Sequence, residues 1–318
     1  MSEKFHVSSS PHVRAKDSTR RIMIYVIVGL LPTSLFGLYN FGYRALLVML
    51  VTIAAAVLSE FLFDLIVHKK NTTGDFSAVV TGLLLALNLP VTIPLWEAAL
   101  GAVFAIVVVK CLFGGLGQNF MNPALGARCF MLIAFPSAMI NFECDAYSGA
   151  TPLAQLRENG GIIPDNFNVL DMLYGNTAGT IGETCTLGIL IGAIFLILAG
   201  VIDLKIPAAY ILSFSLFMLI FGANPWNVDY LVAELCGGGL MLGAFFMATD
   251  YVTSPITPVG KVVFGICCGL LTGLFRCFGA NAEGVSFAII LSNLLVPIIE
   301  KITVPRAFGV EKEAKKHE

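Results

Sequence analysis

The sequence predicts an all-α membrane protein with about ten transmembrane helices, arranged as two inverted repeats of five helices. The first observation is composition, since 57% of the 318 residues are hydrophobic and only 13% are charged. A soluble domain carries roughly a quarter charged residues. The second observation is that apolar runs recur at lengths suited to crossing about 30 Å of hydrocarbon. The third is an internal repeat, which predicts how these runs are arranged.

Ten apolar runs are candidate membrane spans, of which the third is short and the seventh scarcely longer. They cover residues 22–39, 45–66, 76–89, 96–113, 122–140, 186–203, 207–221, 230–248, 259–277 and 285–299. These runs divide the chain into five parts. The parts are a cytoplasmic N-terminal tail (1–21), a first repeat (22–140), an extracytoplasmic loop (141–185), a second repeat (186–299) and a cytoplasmic C-terminal tail (300–318).

The distribution of positive charge predicts the orientation, because cytoplasmic segments carry an excess of Lys and Arg. The basic residues of the N-terminal tail are Lys4, Arg14, Lys16, Arg20 and Arg21. With this tail inside, only Arg44, Arg157 and Arg276 of the 19 basic residues lie on the outer side. Because a polar tail precedes the first span, we do not expect that span to be a signal peptide. Both termini are therefore expected in the cytoplasm of a bacterial cell, with the long loop outside its cytoplasmic (inner) membrane.

The two halves of the chain are weakly similar to each other. Residues 82–94 align with 243–255, with matching glycine, alanine, Val-Thr and proline positions, and 117–119 align with 279–281 at nearly the same offset. Five spans per half is an odd number, so the halves must insert in opposite orientations. Inverted repeats form transporter cores whose sites lie where corresponding helices are short or interrupted by Gly and Pro. Close helix packing is the alternative role of these glycines.

The long outer loop contains a candidate attachment site. Loops of this length in a compact protein are usually functional, and this one carries six acidic residues against one basic residue, Arg157. A turn-prone segment within it contains Asp145, Ser148, Gly149, Ala150 and Thr151. From the residues alone, an ordinary surface turn is the alternative interpretation.

This segment resembles the flavinylation motif D-G-x-S/T-G-A-T of redox-driven ion pumps. In that motif an FMN transferase esterifies the flavin phosphate onto the last hydroxyl, which here belongs to Thr151. The rest of the match consists of Asp145, Ser148, Gly149 and Ala150, while Ala146 stands where the pattern has glycine. The resemblance therefore implies a covalent FMN on Thr151, with an FMN transferase as a partner during maturation.

Residues 119–128 and 247–255 resemble signature segments of the RnfD/NqrB family, although Tyr251 stands where proline is expected. The resemblance covers essentially the whole chain. It implies a subunit of an ion-translocating ferredoxin:NAD⁺ oxidoreductase, with other subunits of an Rnf complex as partners and Na⁺ or H⁺ as the transported ion. An NqrB-type subunit of a Na⁺-pumping NADH:quinone oxidoreductase is the alternative, which the short N-terminal tail disfavours.

The family also implies a second flavin, a non-covalent riboflavin within the membrane core. Four polar residues, at or near the ends of predicted spans, are candidates for the region that holds it. They are Asn88, Asn119, Asn122 and Thr249.

Acidic residues at membrane depth are candidates for an ion pathway, because an ionisable group inside a membrane is usually functional. We predict this role for Glu60, Glu234 and Asp250. For three other charged residues we expect contact with the interface or pairing with one another. These are Asp64, Glu97 and Lys110.

Two other classes of function stay open: a cofactor-free channel or carrier for a small polar solute, and a structural scaffold for partner subunits. Flavin absorbance of the purified chain would separate both from a flavoprotein. The eight cysteines form no C-x-x-C pair, so we expect no metal or iron–sulfur site. A disulfide between Cys144 and Cys185, which flank the long loop, is left open. We expect no nucleic-acid partner and no catalytic acid or nucleophile, since the flavin itself supplies the redox chemistry.

Overall fold

The computed structural model describes residues 18–68, 72–142, 151–162, 169–175, 177–279 and 284–305. Within these ranges the chain is helical and forms no strand. The first half contains α1 (Thr19–Ile66), α2 (Ser77–Leu87), α3 (Leu95–Val103), α4 (Pro123–Ala134) and α5 (Pro136–Ile140). Two short helices follow, α6 (Pro152–Glu158) and α7 (Val169–Tyr174). The second half contains α8 (Thr186–Leu198), α9 (Lys205–Phe221), α10 (Val228–Cys236), α11 (Leu240–Leu242), α12 (Pro258–Phe278) and α13 (Val285–Thr303).

Several helices deviate from regular α geometry. Helix α3 continues as a π-helix over Phe104–Cys111, and α11 continues as a second π-helix over Gly243–Met247. Gly42, with a φ of 66°, interrupts α1, so this helix consists of two segments that correspond to the first two predicted spans. π-Helical turns are rare and occur frequently at functional sites. Both π-helices lead directly to the cavity described below.

The helix starts follow local sequence signals. Ser18 caps α1, where its side chain accepts a hydrogen bond from the backbone N–H of Arg21. Helices α4 and α12 both begin with proline, preceded by the capping side chains of Asn122 and Thr257 respectively. Proline suits the first turn because its missing N–H would have no partner there. These signals explain why the helix boundaries fall close to the predicted ones.

Small residues allow the helices to approach closely. Helix α1 packs against α2, α3 and α8, while α12 packs against α9 and α13. At the crossing of α1 with α8, Gly192 meets the backbone of Gly29 without room for a side chain. Gly265 and Gly269 of α12 face the backbone of α9 in the same way. Glycine at such crossings favours close packing within membranes.

Three helices of the described chain are long and apolar enough to cross a membrane, namely α1, α12 and α13. A fourth span is formed if α10 and residues 240–247, which meet at an angle of 62°, are counted together. Helices α2, α4, α8 and α9 are apolar but shorter. The architecture is thus that of a multi-pass helical membrane protein. The number of ten spans and the inverted repeat stay predictions.

The last part of the predicted outer loop is buried rather than exposed. Residues 179–186 are buried, and the backbone N–H groups of Ile181 and Gly182 donate to the carbonyl oxygens of Leu89 and Leu87 at 3.1 and 2.8 Å. This segment therefore extends the helical core at the end of α2. The loop is acidic in sequence, but backbone pairing with the open carbonyls at a helix end favours burial of this part.

Candidate functional site

A cavity of about 760 Å³ lies where the starts of α1 and α2 meet the ends of α8 and both π-helices. It is called the inner cavity here, because the predicted topology places these helix ends on the cytoplasmic side. Three of the four residues predicted for the core flavin line it, namely Asn119, Asn122 and Thr249.

Asn119 presents an unsatisfied acceptor in the lining of the inner cavity. Its amide nitrogen donates to the carbonyl oxygen of Met121 at 3.1 Å. Its amide oxygen is buried and has no hydrogen-bond partner among the described residues. Leaving a buried polar atom unpaired costs roughly 1–3 kcal/mol. The lining of the inner cavity therefore includes a residue whose buried acceptor is unpaired within the described part of the chain.

Asn122 has mainly a structural role in the cavity wall. Its Oδ1 accepts hydrogen bonds from the backbone N–H groups of Ala124 and Leu125, which caps α4, and its Nδ2 donates to the carbonyl oxygen of Met247 at 3.3 Å. The side chain of Asn293 accepts from the backbone N–H of Asn122 at 3.2 Å, in the amide orientation that satisfies both of its polar atoms. Asn122 therefore joins α4, α13 and the second π-helix at one point.

Thr249 and Asp250 line the cavity at the end of the second π-helix. The hydroxyl of Thr249 donates to the carbonyl oxygen of Phe245 at 2.6 Å. The carboxylate of Asp250 accepts from the backbone N–H of Val252 and from the hydroxyl of Thr253. Asp250 thus organises the turn after the π-helix and at the same time places a carboxylate in the cavity wall.

Asn88, the fourth residue predicted for the core flavin, does not line the inner cavity. It follows α2 and is buried, with its amide nitrogen donating to the carbonyl oxygen of Leu84 at 2.7 Å. Its amide oxygen accepts a hydrogen bond from Nη1 of Arg128 at 2.8 Å. The sequence groups Asn88 with the other three because Asn88 lies at the end of the third predicted span, and Thr249 lies at the end of the corresponding span of the second repeat. In the fold, its polar atoms are used to hold Arg128 inside the helical core.

The predicted acid Glu60 belongs to a buried ionic cluster beside the inner cavity. Its Oε1 lies 2.7 Å from the ammonium of Lys110, and both side chains are at most 2% exposed. The hydroxyl of Thr72 lies 2.8 Å from Glu60 and 2.8 Å from Asp64. Pairing was expected for Lys110 but not for Glu60. The two are far apart in sequence, and the packing of α3 against α1 brings them together.

Glu234 forms a second buried ion pair, in the region predicted to face outward. Its carboxylate lies 2.8 Å from Nη1 of Arg276, and Nη2 of Arg276 donates to the carbonyl oxygen of Gly237 at 2.9 Å. The Arg276 guanidinium also lies over the ring of Phe214, 5.0 Å from its centre. Glu234 and Arg276 thus hold the interrupted helix α10–α11 against α12. A structural contact of this kind accounts for their burial without an ion pathway.

Thr151 lies in the wall of a smaller cavity of about 250 Å³, which is called the outer cavity here. It is only 6% exposed, and its hydroxyl accepts from the backbone N–H of Ala154, which caps α6. Glu183, Thr184 and the glycines after α10 line the same cavity. The hydroxyl oxygen of Thr184 is buried and has no partner among the described residues. Asp145, Ser148, Gly149, Ala150 and Cys144 lie outside the described residues.

Sequence reasoning missed two buried charged residues, Arg128 and Glu183, of which Glu183 lines the outer cavity. Arg128 is 3% exposed and bonds to Asn88, while Glu183 is 7% exposed and accepts from the hydroxyl of Thr180 at 2.9 Å. A side chain at Gly239, within the break between α10 and α11, would touch both of them. Arg128 carried a usable signal, because it is an ionisable residue within a predicted span. Glu183 had none, since its loop appears hydrophilic in sequence.

The fold and these buried polar centres define a class: a multi-pass helical membrane protein with an internal cavity and interrupted helices, as in transport proteins. The family model described as NQR2, RnfD, RnfE family matches residues 6–309. The chain therefore belongs to this family, and the resemblance inferred from residues 119–128 and 247–255 is confirmed.

Curated relatives are similar over nearly the full length. The D-type subunit of the Na⁺-translocating ferredoxin:NAD⁺ oxidoreductase complex of Acetobacterium woodii is 44% identical over 97% of this chain and 98% of its own length. The D-type subunit of the proton-translocating ferredoxin:NAD⁺ oxidoreductase complex of Clostridium ljungdahlii is 38% identical over 97% of both chains. The D-type subunit of the ion-translocating oxidoreductase complex of Actinobacillus succinogenes is 35% identical over 96% of this chain and 98% of its own.

Proposed function

We propose that this chain is the D-type membrane subunit of an ion-translocating ferredoxin:NAD⁺ oxidoreductase complex. The full-length similarity to three subunits that carry this kind of name supports the assignment. The family match supports it as well, and the helical membrane architecture is consistent with it. The chain is then an enzyme subunit, which acts within a translocase together with the other subunits of the complex.

The first finer part of the proposal is that Thr151 carries FMN through a phosphoester. The residue supplies the oxygen nucleophile that an FMN transferase would esterify, and the buried hydroxyl of Thr184 in the same cavity lacks a partner among the described residues. The outer cavity is much smaller than the inner cavity. It therefore suits the phosphoryl end, and the ring system would lie beyond it.

The second finer part is that the inner cavity holds riboflavin. The single observation that carries it is a cavity lined by Asn119, Asn122 and Thr249 together, in which the amide oxygen of Asn119 has no partner among the described residues. Asn119 would accept a hydrogen bond from the ligand, while Asn122 and Thr249 shape the wall through the bonds they already make. A bound flavin supplies electron transfer, and the protein contributes position, electrostatics and exclusion of water.

The third finer part is coupling to an ion. The Acetobacterium relative is named for Na⁺ and the Clostridium relative for protons, so the family name alone does not select the ion. Glu60 and Asp250 are the acids that lie next to or within the inner cavity. We place the ion pathway at these two residues and leave Glu234 as a structural partner of Arg276.

The experiment that tests the flavin assignments uses the purified complex. After denaturing electrophoresis, the band of this chain should fluoresce as a flavoprotein, and mass spectrometry should find the mass of FMN added to the peptide that contains Thr151. Thr151→Val should abolish the fluorescence because valine has no oxygen nucleophile. Riboflavin should still be extracted from that variant, since its site lies in the separate inner cavity.

Ser148→Ala is the matched control, because it removes a neighbouring hydroxyl of the same motif and should leave most of the fluorescence. A fluorescent band in the Thr151→Val protein would refute the attachment site. A wild-type complex that releases no non-covalent flavin when denatured would refute the assignment of the inner cavity.

A further inference from the structure

Lys110 lies at the boundary between the inner cavity and the acidic cluster beside it. Its ammonium is 2.7 Å from Oε1 of Glu60 and 2.6 Å from Oγ of Ser77. Lys110 and Ser77 both line the cavity, whereas Glu60 does not. The side chain is almost completely buried, so its positive charge is poorly screened by solvent. Lys110 therefore lines the inner cavity and at the same time contacts the carboxylate of Glu60.

Two acidic residues next to Lys110, Glu60 and Asp64, share a contact with Thr72, and Glu60 has one carboxylate oxygen left over. Thr72 lies within hydrogen-bonding distance of Glu60 and Asp64, and its backbone N–H donates to Asp64 at 2.8 Å. The second carboxylate oxygen of Glu60 is buried and has no partner among the described residues. The hydroxyl of Ser77 connects Lys110 onward to the carboxylate of Asp75. Oxygen ligands of this kind suit a hard cation or a proton.

We propose that Lys110 couples the charge of the flavin in the inner cavity to cation binding at Glu60 and Asp64, an inference that rests on the proposed function. A flavin bound in the cavity would carry one negative charge after taking up two electrons that originate from ferredoxin and one proton from water. That charge attracts the ammonium of Lys110 and weakens its pairing with Glu60. The carboxylates then bind a cation more tightly. Because such coupling is reciprocal, cation binding raises the midpoint potential of the flavin.

Other charged groups around Lys110 and the inner cavity also affect the midpoint potential of the flavin. Asp75 reaches Lys110 through Ser77, and Asp250 lines the cavity itself. Arg20 lies over the ring of Phe76, next to Ser77, with 5.2 Å between its guanidinium carbon and the ring centre. A pH series therefore reports on all of these groups, whereas a sodium series at constant pH reports on cation binding. The two series together distinguish Na⁺ from H⁺ as the bound cation.

The test is a reductive titration of the non-covalent flavin in the purified complex, with dithionite as the electron donor. Sodium is varied against choline at constant ionic strength and pH, and pH is varied at constant sodium. In the wild type, the midpoint potential should rise with sodium at constant pH if Na⁺ is the cation. If H⁺ is the cation, it should rise with falling pH by more than the roughly 30 mV per pH unit that the flavin's own uptake of one proton produces. Lys110→Met should lower the equilibrium constant for reduction of the flavin about ten-fold. For a two-electron couple, this corresponds to a midpoint potential about 30 mV lower. It should also remove the dependence on sodium, or the part of the pH dependence that exceeds the flavin's own.

Glu60→Gln should shift the potential in the opposite direction, because it leaves the charge of Lys110 unopposed beside the cavity. It too should remove the cation dependence. The double variant Lys110→Met with Glu60→Gln removes both members of the buried ion pair and leaves neither of these two charges unpaired, so it keeps the test valid if either single variant folds poorly. Lys205→Met removes an exposed lysine that pairs with Asp203 at 3.0 Å. This control should retain the wild-type potential and its cation dependence.

The outcomes separate the two proposals. A complex that binds the flavin but keeps the wild-type cation dependence in Lys110→Met overturns the role of Lys110 alone. A wild-type complex without a non-covalent flavin overturns the proposed function, and with it this coupling. Equal shifts in the same direction for Lys110→Met and Glu60→Gln would indicate a general packing effect and would also overturn the coupling.

Discussion

At the residue scale, the charged side chains differ sharply in how far they are removed from water. The pairs Lys110–Glu60 and Arg276–Glu234 are at most 8% exposed, whereas Lys205 is 48% exposed in its pair with Asp203. Exposed pairs contribute about 0–1 kcal/mol to stability. Removing one partner of a buried pair costs about 3–5 kcal/mol, because the other charge is left without compensation. The buried pairs therefore constrain the fold at both of its ends.

Glu60→Gln and Asp250→Asn are predicted to reduce ion transport more than flavin content. Both changes keep the shape of the side chain and remove a carboxylate next to the inner cavity. Transport by the reconstituted complex should fall several-fold, while the flavin extracted per complex should change little. Ion flux into proteoliposomes and flavin fluorescence measure the two quantities. Unchanged flux in both variants would show that these acids serve only the structure.

At the same scale, candidate residues could be chosen from the sequence, whereas their contacts could not. Sequence reasoning selected Asn119, Asn122 and Thr249 as a group, and these residues line one cavity. It could not pair Glu60 with Lys110, because the contact depends on where a π-helix ends relative to α1. It also had no means to find the buried position of Glu183.

At the scale of elements, interruptions in helices create the polar sites. The break between α10 and α11 contains Gly238 and Gly239, with φ values of 64° and 66°. Glycine adopts this left-handed conformation without the cost of about 1–2 kcal/mol that other residues incur. The carbonyl groups released there accept hydrogen bonds from Arg276. An uninterrupted helix would leave Arg276 without these acceptors.

Gly192→Ala is predicted to destabilise the crossing of α8 with α1. An added methyl group would collide with the carbonyl of Gly29, which belongs to the backbone and cannot rotate away. Overpacking of this kind costs about 1–3 kcal/mol, so the unfolding temperature in detergent should fall by several degrees. Gly74→Ala is the control, since a methyl group there meets no atom within 4 Å. If both variants unfold at the wild-type temperature, the two helices have more room than the structure shows.

At the scale of the whole molecule, two cavities lie at different ends of the helical core. The inner cavity is bounded by the starts of α1 and α2, and the outer cavity by α6 and the end of α10. Under the predicted topology these ends face opposite sides of the membrane. Asn88 and Arg128 are buried and line neither cavity, whereas Glu183 is buried in the wall of the outer cavity.

The orientation itself is open to a direct test. We predict that a membrane-impermeant thiol reagent labels Asn159→Cys from the outside and Lys205→Cys only in inverted vesicles. Both positions are exposed in the structure, and a background without reactive native cysteines is needed. The expectation follows from the excess of basic residues at the inner face. Labelling with the opposite sidedness would invert the topology and exchange the names of the two cavities.

The sequence by itself determined the helical membrane class, the order of the apolar segments, the family and the residue types of the sites. These properties depend on local composition and on short motifs, which a single chain displays directly. Only the tertiary structure decided which segments enclose a cavity, that Asn88 lies apart from it, and that Lys110 joins it to Glu60. Such contacts arise from helix packing and from breaks in helices, where backbone geometry rather than sequence spacing sets the distance between side chains.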